Sequence, residues 1–229
     1  MMIETGFSRY FTKAWLGACW FLLSTLLFAG VAGERHAGKE QAGLQPPWPY
    51  VELDTEQVRK LGHWGYYEKG CAYGAFYALL APLQEAVGKP YTGIPAHMMT
   101  FGRGGVVDEG DLCGSLLGSL AAINLITGDD YEALAEALLT YYCETPLPTD
   151  QSNAYARDRE FLVDEYHTTK EIEPTVAGSV ACRISRRTWM RTARERRRSP
   201  ARQERCARLT GDVAAHAAKL LNQWAAEKE

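Results

Sequence analysis

Six cysteines lie at positions 19, 71, 113, 143, 182 and 206 of the 229 residues, and no two are close enough to form CxxC. Zinc ribbons, thioredoxin-type dithiols and covalent c-type haem (CxxCH) all need that short spacing, so none can be written locally into this chain. A site that uses several of these sulfurs has to be assembled from segments far apart in sequence. It exists only once the chain has packed.

One cysteine falls in a segment of different character. From Ala14 to Gly33 there is no charged residue, Arg9 and Lys13 precede the run, and small residues close it. Basic, apolar and small-residue regions in that order describe an export signal cut near Ala32 or Gly33. At 1.5 Å per residue, a run of about 20 residues is also long enough for a retained membrane anchor. Ser8-Arg9-Tyr10-Phe11-Thr12-Lys13 resembles a twin-arginine export motif with one arginine missing. Leu16-Gly17-Ala18-Cys19 has lipobox letters, but most of the apolar run follows Cys19, which argues against lipidation. The expected organisation is a signal or anchor at 1–33, a polar and Pro-rich linker at 34–50, and a domain at 51–229. That places the domain outside the cytoplasmic membrane, or tethered to it. Five cysteines remain in the domain, an odd number that argues against complete disulfide pairing.

The domain reads as all-α, with five to six helices. Apolar residues make up 46% and charged residues 23%, which excludes a disordered chain. Asp54 is placed to cap a helix running to about Leu83, broken near Gly70, with apolar positions at helical rather than alternating spacing. Residues 88–110, rich in Gly and Pro, read as a long irregular loop. Asp111 is expected to cap a helix over 112–126 that ends at Thr127-Gly128. Asp129 or Asp130 is expected to cap another to about Cys143, before Pro146 and Pro148. Weak helix is expected over 154–166, and two further helices near 179–196 and 201–226. Strands should be few.

Two of the cysteines are framed by glycines four apart: Gly70-Cys71-Ala72-Tyr73-Gly74 and Cys113-Gly114-Ser115-Leu116-Leu117-Gly118. Glycines at that spacing share a helix face and let another backbone come close. Interior glycine costs about 1 kcal/mol against alanine, so the close approach is expected to matter. Cys182 and Cys206 fall on the last two helices, where adjacent antiparallel helices can bring them together. Four thiolates suit an iron–sulfur cluster or structural zinc, and disulfides compete in an exported protein.

These segments carry a resemblance. Gly70 to Gly74, Cys113 to Gly118, Cys182, and Glu204-Arg205-Cys206-Ala207-Arg208-Leu209 resemble the C_GCAxxG_C_C family of redox-active proteins. The nearest branch is the one typified by split-Soret cytochromes. The phrase Cys71 to Leu83, the loop around Ile94 to Met99 and the ending from Cys206 to Leu221 resemble that branch too. The resemblance implies a helical fold, clustered cysteines, an iron–sulfur centre and electron transfer. By position, the four motif cysteines are Cys71, Cys113, Cys182 and Cys206, and Cys143 is the spare. Haem attachment is not carried over, because CxxCH is missing, so covalent c-type haem is not expected.

The main expectation is therefore an electron carrier, rather than a catalyst in its own right, with an iron–sulfur cluster on those four cysteines. The alternatives are an interaction domain held by zinc or disulfides, and a thiol oxidoreductase using Cys71 and Cys113. His97, beside Met98 and Met99, is a further candidate ligand in the 88–110 loop. A homodimer could share the cysteines across its interface.

The chain has a net charge of −3 and a pI of about 6.0, yet residues 183–208 hold eleven arginines against Glu195 and Glu204. This run reads as solvated helix surface, or as a docking patch for an acidic redox partner or an anionic membrane. Trp189 is the one aromatic within it, so nucleic-acid binding is not expected.

Overall fold

A computed structural model describes residues 45–228. The expected signal or anchor segment, Cys19 and the expected linker up to residue 44 lie outside the described residues. None of the described helices is long and apolar enough to cross a membrane.

The chain is mostly helical, as expected, with seven α-helices among the described residues. Helix α1 (Thr55–Lys69) starts where the Asp54 carboxylate accepts the backbone N–H of Glu56 at 2.9 Å and of Gln57 at 3.1 Å. Those bonds satisfy two of the donors that a helix start leaves unpaired. Asp54→Ala is expected to lower stability by about 1 kcal/mol, read as a shift of the urea midpoint with unchanged slope. Gly70, at φ +89°, breaks the helical run where the sequence suggests, and α2 (Cys71–Ala86) starts immediately after it. Helix α2 is buried along most of its length, against α1, α3 (Gly114–Thr127) and α7 (Pro200–Ala226).

Glycines set these contacts. A methyl on Gly65 would lie 2.6 Å from the Gly74 Cα. One on Gly62 would lie 3.0 Å from the Gly211 Cα. One on Gly118 would collide with the Ala72 carbonyl oxygen. The core around them is aliphatic and includes Leu79, Leu83, Leu116, Ile123, Leu138, Val213 and Leu221.

Several helix starts differ from expectation. Helix α3 begins at Gly114, with Cys113 in the cap position, and not at 112 behind an Asp111 cap. Residues 110–113 are extended because they pair with 180–183: Cys113 N–H donates to the Val180 oxygen (2.9 Å) and Cys182 N–H to the Asp111 oxygen (2.6 Å). Asp130 precedes α4 (Tyr131–Glu144), but its carboxylate makes no cap; it accepts the Trp224 indole N–H at 3.2 Å and pairs with Lys228. Helix α5 is Asp150–Arg157, earlier than the expected 154–166, because the Thr149 hydroxyl caps it. It ends before Arg159, which has φ +57°. Helix α6 spans Cys182–Thr192, and Ser199 caps α7. Among the described residues the strands are two short pieces, β1 (Pro146–Leu147) and β2 (Thr175–Val176), paired antiparallel. The end of the expected linker is docked: Trp48 is 5% exposed and stacks edge-on to Tyr91.

A buried polar network fastens α7 to α1. The Glu204 carboxylate receives His63 Nε2 (2.9 Å), Arg208 Nε (3.0 Å) and the Tyr67 hydroxyl. Arg208 also donates to Asn153 Oδ1 (2.7 Å) and to the carbonyls of Lys170 (3.0 Å) and Thr168 (2.8 Å). The His63 ring lies flat on Phe161 at 3.7 Å.

Candidate metal centre

Four cysteines from four helices meet at one cavity of about 540 Å³: Cys71, Cys113, Cys182 and Cys206. Cys71 is the first residue of α2, Cys182 the first of α6, and Cys113 holds the N-cap position of α3. Each of these three sulfurs therefore stands at a helix N-terminus, where unpaired N–H groups and the helix dipole favour negative charge. Cys206 sits two turns into α7.

The local sequence explains the placement. The chain reverses through Gly70 just before Cys71, and the 110–113 and 180–183 pairing lays Cys113 beside Cys182. A side chain on Gly114 would run into the Cys71 sulfur and come within 2.6 Å of the Gly102 oxygen, so the glycine that follows Cys113 keeps two sulfur-bearing segments in contact. A methyl on Gly105 would reach Cys182 Cβ at 2.7 Å.

The Gly/Pro-rich loop forms another wall. Val106, Val107 and Asp108 all have positive φ (58°, 49° and 66°) in a left-handed turn following Gly104 and Gly105. That conformation is costly for β-branched valine. The Gly104 N–H is aimed at the Cys71 sulfur and favours its charged form.

Cys71, Cys113 and Cys182 are 8%, 6% and 7% exposed. Burial, then the neighbouring Cys113, push the Cys71 thiol pKa up. Burial, with Cys113 and Cys206 nearby, raises that of Cys182 to about 12, against the pull of Arg186 and Arg205. Neither is the acidic, accessible thiol that thiol exchange needs. The five described cysteines are free thiols. The four sulfurs share the cavity without converging on one point: among the described residues, no three Cys, His, Asp or Glu side chains are grouped to hold a metal ion.

Cys143 lies near the end of α4, half-buried and outside the cavity. His97 is exposed on the short 3₁₀ segment Ala96–Gly102 and does not line the cavity. Met98 is 55% exposed, whereas Met99 is buried.

The arginine run is not uniformly solvated. Arg187, Arg191, Arg196, Arg197 and Arg198 are exposed, but Arg205 is 2% exposed and Arg208 is fully buried. Arg186, Arg202 and Arg205 line the cysteine cavity, with Arg197 and Arg198 at its edge. Arg202 Nη1 lies 4.0 Å from the Cys206 sulfur. Burial works against the Arg202 charge, but Cys206 and Tyr66 outweigh it and hold its pKa above the ordinary value. A reading by charge density alone misses these residues. The signal that finds them is helical spacing: Arg186 follows Cys182 by four residues, and Arg202 precedes Cys206 by four.

Residues 71–220 match the family model described as "Putative redox-active protein (C_GCAxxG_C_C)". The chain belongs to this family. Within it, the chain is similar to the split-Soret cytochrome c of Desulfovibrio desulfuricans, with 30% identity over 197 residues, 85% of this chain and 67% of the relative. It is also similar to a solved structure of that cytochrome, described for its novel iron centre. The superposition has a TM-score of 0.69 at 28% identity and covers 79% of this chain and 72% of that one. The four cysteines that the sequence assigns to the motif by position are the ones that line the cavity, and Cys143 stays apart.

Proposed function

We propose that this protein is a one-electron carrier whose four family cysteines hold an iron–sulfur cluster. The observation that carries the reading is that Cys71, Cys113, Cys182 and Cys206, from four separate helices, line one cavity while Cys143 does not. Tetrahedral zinc draws four sulfurs to about 2.3 Å from one ion. Among the described residues no three Cys, His, Asp or Glu side chains are grouped to hold a single ion, which favours a group that brings its own bridging atoms. A bound cluster would supply reversible one-electron chemistry. The chain's residues would fix and tune it: the thiols as ligands, the Gly104 N–H and the helix N-termini favouring negative charge on sulfur, and Tyr66, Tyr142 and Leu209 keeping water from the buried side. The relative's novel iron centre supports iron as the metal. Burial of both Cys71 and Cys113 counts against the dithiol reading. An acidic redox partner would meet the exposed arginines at the cavity edge, outside the cytoplasmic membrane if residues 1–33 act in export or anchoring.

Protein purified without oxygen is expected to carry iron and acid-labile sulfide and to be coloured. Cys71→Ser and Cys182→Ser should lose most of the iron, while Cys143→Ser keeps it. Zinc in place of iron, or equal iron in all three variants, would reject the assignment.

A further inference from the structure

Three guanidinium groups at this cavity have a buried Nε–H with no acceptor: those of Arg186, Arg202 and Arg205. Arg205 is 2% exposed, and the hydrogen bond it makes is from Nη2 to Ser185 Oγ at 2.9 Å. Arg202 reaches towards Cys206 through Nη1, which leaves its Nε idle. Buried donors are almost always paired, and charged ones more stringently than neutral ones. These guanidinium groups line one cavity and none is paired with a carboxylate among the described residues, which points to an anion that binds there.

Its chemistry follows from the donors. A guanidinium presents a planar fork that matches the oxygens of phosphate, sulfate or carboxylate, and fits the diffuse lone pairs of sulfur less well. The arginines come from two helices, α6 and α7, so their forks approach from different sides. The thiols of Cys71, Cys113 and Cys182 form the deep part of the cavity, whereas Arg197 and Arg198 are exposed at its edge. A cavity of about 540 Å³ has the size of a small-molecule site.

We propose that Arg186, Arg202 and Arg205 form a binding site for a small oxyanion, seated beside the four cysteines. The site does not depend on the identity of the metal group. It places an anionic small molecule next to the redox centre, and it assigns the arginine-rich stretch a role inside the protein as well as on its surface.

The test is calorimetric titration of the full chain with inorganic phosphate, in both iron-loaded and iron-free forms, with iron content measured separately. One saturable site per chain is expected in both. Arg202→Gln and Arg186→Gln should each weaken it by about tenfold, the loss of one charge-assisted bidentate contact. Arg194→Gln removes the same charge from an exposed position outside the cavity and should leave affinity within about twofold. Circular dichroism checks that each variant is folded. No saturable binding in either form overturns the proposal. Equal weakening by Arg194→Gln overturns it as well, since surface charge would then be the whole effect. Binding confined to the iron-free form also overturns it, because the arginines would then serve the metal group. If the protein takes up no iron, the iron-free titration decides alone, so failure of the cluster assignment is read separately.

Discussion

Glu204→Gln is expected to lower the unfolding free energy by about 3–5 kcal/mol, the usual result of removing one partner from a buried ion pair. The Glu204 and Arg208 side chains are both fully buried, 3.0 Å apart. Gln has the same shape and no charge, so Arg208 would keep its charge in the core with no counter-ion. The amide N–H₂ would also face His63, Tyr67 and Arg208, which all present donors to the present carboxylate. Urea unfolding of the variant measures this. A loss below about 1 kcal/mol would show that the carbonyls of Thr168 and Lys170 suffice to hold Arg208.

The same network sets how stability responds to acid. Burial pushes the Glu204 carboxyl pKa up, but the bonds from His63 and Tyr67 and the Arg208 charge outweigh it and hold it below 4.5. Its stabilisation is therefore present above the unfolded-state value and is lost as pH falls through the folded-state value. Burial lowers the His63 pKa below 6.5, with Glu204 opposing only in part, so the ring is neutral in the fold and takes up a proton on unfolding. Both groups weaken the fold on acidification: His63 below about pH 6.5, then Glu204 below about 4.5. In Glu204→Gln the lower step should disappear from the pH profile.

Gly74→Ala should cost about 2 kcal/mol net, and Gly74→Val more. Alanine is the better helix former by about 1 kcal/mol, so propensity alone predicts a gain. Its methyl, however, would stand 2.7 Å from both the Gly62 oxygen and the Tyr66 nitrogen. These are backbone atoms of α1, which cannot swing aside as a side chain can, and overpacking of this kind costs about 1–3 kcal/mol or more. Moving α1 outward would also shift Tyr66, which lines the cysteine cavity, so iron retention should fall along with stability. A thermal scan showing Gly74→Ala more stable than the parent protein would mean that the contact can relax.

Much of the helical plan was legible locally. Asp54, Gly70 and Thr127-Gly128 act within three or four residues of the helix ends they set, so sequence neighbours suffice to identify them. The helix starts that sequence analysis misplaced were set by distant partners. Asp111 reads as a cap, but its carboxylate pairs with Arg183 and its backbone with Cys182. Asp130 does stand at the N-cap of α4, as expected, but its carboxylate binds Trp224 near the end of α7 and Lys228 just beyond it instead of capping the helix. Thr149, which caps α5, is also tied to Asp212 on α7: its N–H donates at 2.8 Å and its hydroxyl at 2.7 Å.

By itself, the sequence determined the helical class, the glycine-framed cysteines, the family and the exclusion of CxxC chemistry, because periodicity and motif spacing are properties of neighbours along the chain. Only the tertiary structure decided that four widely spaced sulfurs share one cavity, and that three of them stand at helix N-termini. The same holds for the arginines: eleven in one run look alike in sequence, but α6 and α7 turn Arg186, Arg202 and Arg205 inward, while α6 leaves Arg187 and Arg191 to solvent. Which face of a helix is buried depends on what packs against it: α7 is held mainly by α1, α2 and α3, far back in the chain, whereas α6 rests on β2 and pairs through its first residues with the 110–113 segment.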